Sequence, residues 1–135
     1  MGAKLRGGEV IVLSSDLGGG KTAFVRGLAR GMGSQDQVAS PTFTLSRQYD
    51  SATNNLRLYH FDFYRLTEPG IMALELAEVR DDPEAVVAVE WGEIVDDVLP
   101  ADKVSVVITR TGETTRDFNF EFPESRAYLL PETAV

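Results

Sequence analysis

The sequence predicts a single α/β domain with a mixed sheet and a C-terminal β-hairpin. Three observations predict it. A short, fully apolar run, V-I-V-L, leads through three glycines into a helical pattern, and a second apolar run, V-V-A-V, ends in an acid. Short runs of this kind are the mark of strands buried on both faces. Two further pairs of strand-like stretches flank turn-rich connections, and the second pair alternates cleanly, as hairpins do.

Each element follows in order. Residues 9–14 read as a buried strand. Residues 21–32 read as a helix with Phe24, Val25, Leu28, Ala29 and Met32 on one face, ended by Gly33-Ser34. Residues 43–49 and 56–63 read as strands separated by D-S-A-T-N-N, with antiparallel pairing. The stretch 67–84 is acidic, carries Pro69 and Pro83, and holds a short helix around 71–77. Residues 86–90 form the second apolar strand. A short helix at 93–98 is stopped by Pro100. Residues 103–110 and 115–122 flank T-G-E-T as a hairpin, and the tail from Pro123 is expected to be loose. The domain therefore spans 1–123, with 124–135 as a tail.

Composition narrows the chemistry. The chain has 135 residues, enough for one domain with a core. It has no cysteine, which excludes disulfides, thiolate metal sites and thiol nucleophiles. His60 is its only histidine, which excludes a His-rich metal site and most His-based triads. No apolar run approaches the ~18 residues of a membrane span, and the V-I-V-L run is too short for a signal peptide. Arg6 stands where myristoylation needs Ser or Thr. A cytoplasmic location, with no membrane partner, is expected. Formal net charge is −8, and residues 68–97 hold ten acids against one base, Arg80. Such a chain is poorly suited to grip a nucleic-acid backbone by itself. The acidic stretch reads either as a solvated face or as a docking surface for a basic partner.

The stretch S-S-D-L-G-G-G-K-T nearly spells the phosphate-binding loop G-x-x-x-x-G-K-[ST]. Gly20, Lys21 and Thr22 fit, and Ser15 stands where the first glycine belongs. In such a loop backbone N–H groups face phosphate oxygens, and the following helix N-terminus adds partial positive charge. Lys21 would reach the β- and γ-phosphates and the Thr22 hydroxyl would ligate Mg²⁺. The alternative is a glycine-rich turn with no ligand, but the order strand, G-K-T, amphipathic helix is the context the motif requires. Mg²⁺ takes oxygen ligands, and Asp62 and Glu90 each end a strand. Each is a metal candidate or merely a surface acid. His60, two residues before Asp62, shares its strand face and reads as a packed, hydrogen-bonded histidine. No N-K-x-D occurs, so ATP is favoured over GTP. Ser15 is expected to weaken ATP binding if the loop needs a backbone conformation that a β-carbon disfavours. In an ordinary conformation it would do no harm.

Four motifs in order go beyond a generic loop: D-L-G-G-G-K-T-A-F-V-R-G-L-A-R-G-M-G, S-P-T-F-T-L, L-Y-H-F-D-F-Y-R-L and V-E-W-G-E. Together, over about residues 7–110, the chain resembles the bacterial TsaE (YjeE) family, small P-loop ATPases needed to make threonylcarbamoyladenosine in tRNA. The resemblance implies a P-loop NTPase-like domain in which Asp16, Leu17, Gly18, Gly19, Gly20, Lys21, Thr22 and the adjoining Ala23 bind ATP, with Thr22 on Mg²⁺. It implies that Ser40-Pro41-Thr42-Phe43 is a switch-like loop near the γ-phosphate, which makes Thr42 a catalytic candidate. Asp62 matches the family's acid in H-F-D-x-Y-R. Glu90 and Trp91 match its E-W pair, whose acid handles Mg²⁺ and water. Arg116 is implied to lie near the nucleotide.

The family does not itself transfer the carbamoyl group. The resemblance implies an ATP-driven partner of the TsaD–TsaB pair that lets the assembly turn over and meets tRNA only through the complex. Two features depart from the family: Ser15, and the roughly eight residues before the first strand, where relatives carry an extra strand and helix. The domain is therefore expected to be N-terminally short. No arginine finger is identified, so hydrolysis by the chain alone is expected to be slow. The alternatives are a nucleotide-impaired, non-catalytic partner-binding module of the same complex and, third, a small-molecule kinase. A kinase needs an acceptor pocket and a lid, and no lid-sized Arg-rich insertion is present.

Overall fold

The computed structural model describes residues 4–15, 21–35, 46–52, 54–62, 70–90, 99–113 and 115–129. Strand β1 (Val10–Ser15) precedes helix α1 (Lys21–Gly31). Strands β2 (Ser46–Asp50) and β3 (Arg57–Asp62) pair antiparallel, as the sequence predicts. Helix α2 (Gly70–Arg80) leads to β4 (Ala85–Glu90), and β5 (Val104–Arg110) and β6 (Arg116–Glu121) form the second antiparallel pair. The six strands lie in the order β2-β3-β4-β1-β5-β6, with β3, β4, β1 and β5 parallel.

The chain moves to one side of β1 to lay down β2, β3 and β4, then crosses to the other side for β5. The order therefore divides at β1. In open α/β sheets such a division is where ligands bind, beyond the carboxyl ends of the strands.

Central parallel strands are covered on both faces, which is why they read as continuous apolar runs. All six residues of β4 are buried. On one face α1 packs Val25, Leu28, Ala29 and Met32 against Ile11, Leu13, Val86, Ala88, Val104 and Val106. On the other face Leu76 of α2 packs with Val10, Phe61, Val87 and Val89. Burying one such aliphatic side chain is worth about 1.5–3 kcal/mol.

The end of α1 has a local cause. Ser34 N–H donates to Ala29 O at 2.8 Å and Gly33 N–H to Arg30 O at 3.0 Å, with Gly33 at φ +96. This is the Schellman closure, which needs a left-handed residue just past the helix. Helix α2 is longer than the 71–77 expected from sequence. It runs on to Arg80, whose charge suits a helix C-terminus. The helix expected at 93–98 lies outside the described residues. Among the described residues no helix is long and apolar enough to cross a membrane.

The tail differs from expectation. Glu124–Leu129 forms a 3-10 helix rather than a loose end, and Leu129 is buried. Its anchor is Glu9, a charged residue that is itself fully buried. The Glu9 carboxylate accepts from Arg6 N–H, Gly7 N–H and the Tyr128 hydroxyl, each at 2.7 Å. Arg126 donates to Tyr128 Oη at 3.0 Å, to Asp102 Oδ2 at 3.0 Å and to Gly8 O at 3.2 Å. Burial, and then the bond to Glu9, hold the Tyr128 phenol above its ordinary pKa, so it remains a donor at neutral pH. A buried carboxylate is tolerated only when its lone pairs are met, and this one is met from both ends of the chain.

Candidate active site

Strands β3 and β4 run parallel with Asp62 opposite Glu90. Their last residues therefore stand about 4.8 Å apart along the sheet. By the strand alternation, Leu58, His60 and Asp62 share the face of Val86, Ala88 and Glu90, which is the face that carries α1. Glu90 also stands opposite Leu13 of β1, and β1 continues through Ser14 and Ser15 before the glycine-rich stretch begins. Two acids read separately from the sequence thus become neighbours beside the strand that delivers the loop.

Lys21 and Thr22 are the opening residues of α1, whose first turn contains no acid. The partial positive charge of this helix end is therefore left unneutralised by its own side chains, as anion binding requires. Ala23 follows in the same turn and is exposed. Asp16, Leu17, Gly18, Gly19, Gly20, Thr42 and Trp91 lie outside the described residues, as do the side chains of Lys21 and Thr22.

Arg116 stands at the same end of the sheet, opposite Arg110, the last residue of β5. It opens β6, two strands from β1, and its Nη1 donates to Thr115 O at 2.8 Å and Gly112 O at 3.2 Å. It closes the β5–β6 turn. Among the described residues it meets none of the other candidates.

Ser15 lies at the end of β1, next to the glycine-rich stretch. It is a strand residue, in register with Ile108 of β5. Paired strand backbone is extended and open to any L-residue, so Ser15 carries no such backbone cost in this structure. Ser15→Gly should leave ATP affinity unchanged and lower stability by about 0.5–1 kcal/mol, the cost of glycine in a strand. Calorimetric titration of both proteins with ATP checks this. Tighter binding by the glycine variant would show that the bound loop needs a left-handed residue there.

His60 is fully buried, and its Nε2 is hydrogen-bonded to the Glu90 carboxylate. The sequence reading of a packed, hydrogen-bonded histidine is borne out. Its partner was not legible, because chain position does not reveal which strands are neighbours. The shared face parity of His60 and Asp62 was the only signal available.

The donor set suits a hard cation. Among the described residues no three His, Asp or Glu side chains gather around one point. Magnesium commonly takes one or two carboxylates and completes its shell with waters and substrate phosphates. Asp62 and Glu90, at the end of the sheet from which β1 leads to α1, fit that pattern.

Known proteins share this arrangement of sequence. Residues 1–118 match the family model described as threonylcarbamoyl adenosine biosynthesis protein TsaE. The tRNA threonylcarbamoyladenosine biosynthesis protein TsaE of Bacillus subtilis is 37% identical over 125 residues, covering 93% of this chain and 77% of that protein. Its namesake from Treponema pallidum is 38% identical over 117 residues, covering 87% and 84%. In three dimensions the chain resembles the crystal structure of Bacillus subtilis YdiB with a TM-score of 0.65 and 32% identity, over 88% of this chain and 71% of that one.

Proposed function

The chain belongs to the family of threonylcarbamoyl adenosine biosynthesis protein TsaE, and on that premise we propose that it is a cytoplasmic ATPase acting in threonylcarbamoyladenosine modification of tRNA. One observation carries the reading: Asp62 and Glu90 end neighbouring parallel strands on the face where α1 begins with Lys21 and Thr22. Phosphate and metal chemistry draw on groups of both charges, and the topology brings both to one end of the sheet.

In this proposal the backbone of residues 16–20, with Lys21, Thr22 and Ala23, holds the phosphates of ATP. Thr22, Asp62 and Glu90 would hold Mg²⁺, which would supply charge to offset that of the terminal phosphates. A water oxygen bonds to the γ-phosphorus as the bond to the β-γ bridging oxygen breaks, releasing ADP and phosphate. Glu90 or Asp62 orients the water, Lys21 stabilises the charge of the departing phosphates, and Thr42 lines the γ-phosphate side. Arg116, opposite the last residue of β5 at the carboxyl end of the sheet, is the candidate to approach the nucleotide from that side. No further cation is assigned to the transferring group, so turnover by the chain alone is slow.

Glu90→Gln and Asp62→Asn should each lower hydrolysis about a hundredfold or more while ATP binding changes little, because each removes a charge from the metal or water site but no phosphate donor. Normal hydrolysis by both variants would make these acids structural.

The partners proposed are TsaD and TsaB, whose assembly ATP binding and hydrolysis would regulate, with tRNA reached only through the complex. Glu75, Glu78, Asp81 and Glu84 are exposed in the same acidic stretch as Leu74, which is 66% exposed. Charge reversal at these acids should weaken capture of the TsaD–TsaB pair, and added salt should weaken wild-type capture, since exposed charges are screened over ~8 Å at physiological ionic strength. Unchanged capture moves the interface elsewhere. The decisive experiment is ATP hydrolysis with and without the TsaD–TsaB pair. Stimulated turnover supports the proposal. Docking without hydrolysis makes the chain a non-catalytic module, and phosphate transfer to a small acceptor makes it a kinase.

A further inference from the structure

Resting on that reading of Glu90, we infer that His60 is a positioning residue for hydrolysis: its Nε2–H holds one oxygen of the Glu90 carboxylate and so aims the other at the metal or water. Glu90 ends a strand whose other five residues are Ala85, Val86, Val87, Ala88 and Val89, and it is only 4% exposed. A carboxylate so placed must be met by a donor or pay heavily for its lost hydration. The donor it has is an imidazole with no solvent exposure at all. A core in need of packing alone is served as well or better by apolar side chains of similar volume, because a buried pair of this kind seldom repays its desolvation. The pair is therefore explained by what it does to Glu90 rather than by stability.

The register shows how the ring reaches. Directly opposite His60 on β4 is Ala88, and Glu90 lies one same-face position further along, opposite Asp62. The small Ala88 side chain, itself fully buried, leaves room for the imidazole to lean along the strand direction toward the strand end, as side chains in sheets do. The bond engages Glu90 Oε2, which leaves Oε1 as the working oxygen of a residue that stands opposite Asp62. A carboxylate free to rotate would present its oxygens in many directions. One held by a buried ring presents a defined lone pair, the role that outer-shell partners play at metal and catalytic sites. The bond also assigns the proton, since a carboxylate accepts and Nε2 must donate.

Because His60 is the only histidine in the chain, its imidazole can be read without assignment. In wild-type protein labelled with ¹⁵N, two-dimensional NMR should show Nε2 carrying a proton, with its signal changed by Glu90→Gln. A ring with the proton on Nδ1 alone overturns the inference without any variant of His60. In the presence of the TsaD–TsaB pair, His60→Leu should reduce ATP turnover about 10- to 100-fold. Mn²⁺ binding to its ATP complex, read by electron paramagnetic resonance, should weaken, while ATP affinity holds. His60→Gln, which can place a donor near the same point, should recover much of both. Wild-type turnover by folded His60→Leu overturns the inference, and so does equal loss in Leu and Gln variants of unchanged thermal midpoint. Normal turnover by Glu90→Gln instead removes the role of Glu90 itself, so the two failures are told apart.

Discussion

Lys21→Ala should abolish ATP binding and leave the fold intact. Lys21 opens a helix whose first turn has no acid, so on the function proposed above its ammonium and the helix N-terminus would act on the same phosphates with no acid in that turn to offset them. Hydrogen bonds to charged groups are worth about 1.5–3 kcal/mol each, and 1.4 kcal/mol is tenfold in affinity. Loss of a lysine proposed to meet two phosphates should therefore weaken binding by roughly a hundredfold or more. Folding is spared because the packed face of α1 is carried by Val25, Leu28, Ala29 and Met32, and alanine is the best helix former. Calorimetric titration with ATP, together with an unchanged thermal midpoint, checks both halves. Wild-type binding by the variant would remove Lys21 from the site.

The largest effect on stability should come from the opposite end of the sheet, with Gly7→Ala. Gly7 has φ +100, and a β-carbon there would lie 2.0 Å from the backbone oxygen of Pro83. The loop cannot easily yield. Gly7 N–H donates to Glu9 Oε1 at 2.7 Å and Gly8 N–H to Ala85 O at 2.6 Å. Relief of the clash would pull a donor from a buried carboxylate. The left-handed backbone alone costs about 1–3 kcal/mol for alanine, and a buried polar group left unmet costs a further 1–3 kcal/mol. Both together approach the whole stability of a marginal domain, about 5–15 kcal/mol. Gly8→Ala is the control, because Gly8 has φ +88 but open space around its would-be β-carbon. Thermal unfolding followed by circular dichroism should show a much larger drop for Gly7→Ala than for Gly8→Ala. Equal drops would mean that the Pro83 contact relaxes without cost.

Local pattern carried much of this protein. The runs V-I-V-L and V-V-A-V announced buried strands, the 3.6-residue spacing from Phe24 to Met32 announced α1, and Gly33-Ser34 announced its end. Each of these is decided within a few residues of chain, because pleat, helix period and a left-handed cap are properties of neighbouring residues. The same is true of the G-K-T stretch and of acids at strand ends. Tertiary structure alone decided which strands are neighbours. Only the parallel register of β3 on β4 brings Asp62 beside Glu90 and lets His60 lean past Ala88 onto it. Only the pairing of Ser15 with Ile108 makes Ser15 an ordinary strand residue. Only folding brings Tyr128 to Glu9, which turns an expected loose tail into an anchored one. Register and docking are set by contacts between residues far apart in the chain, and a period read along one strand carries no label for the strand beside it.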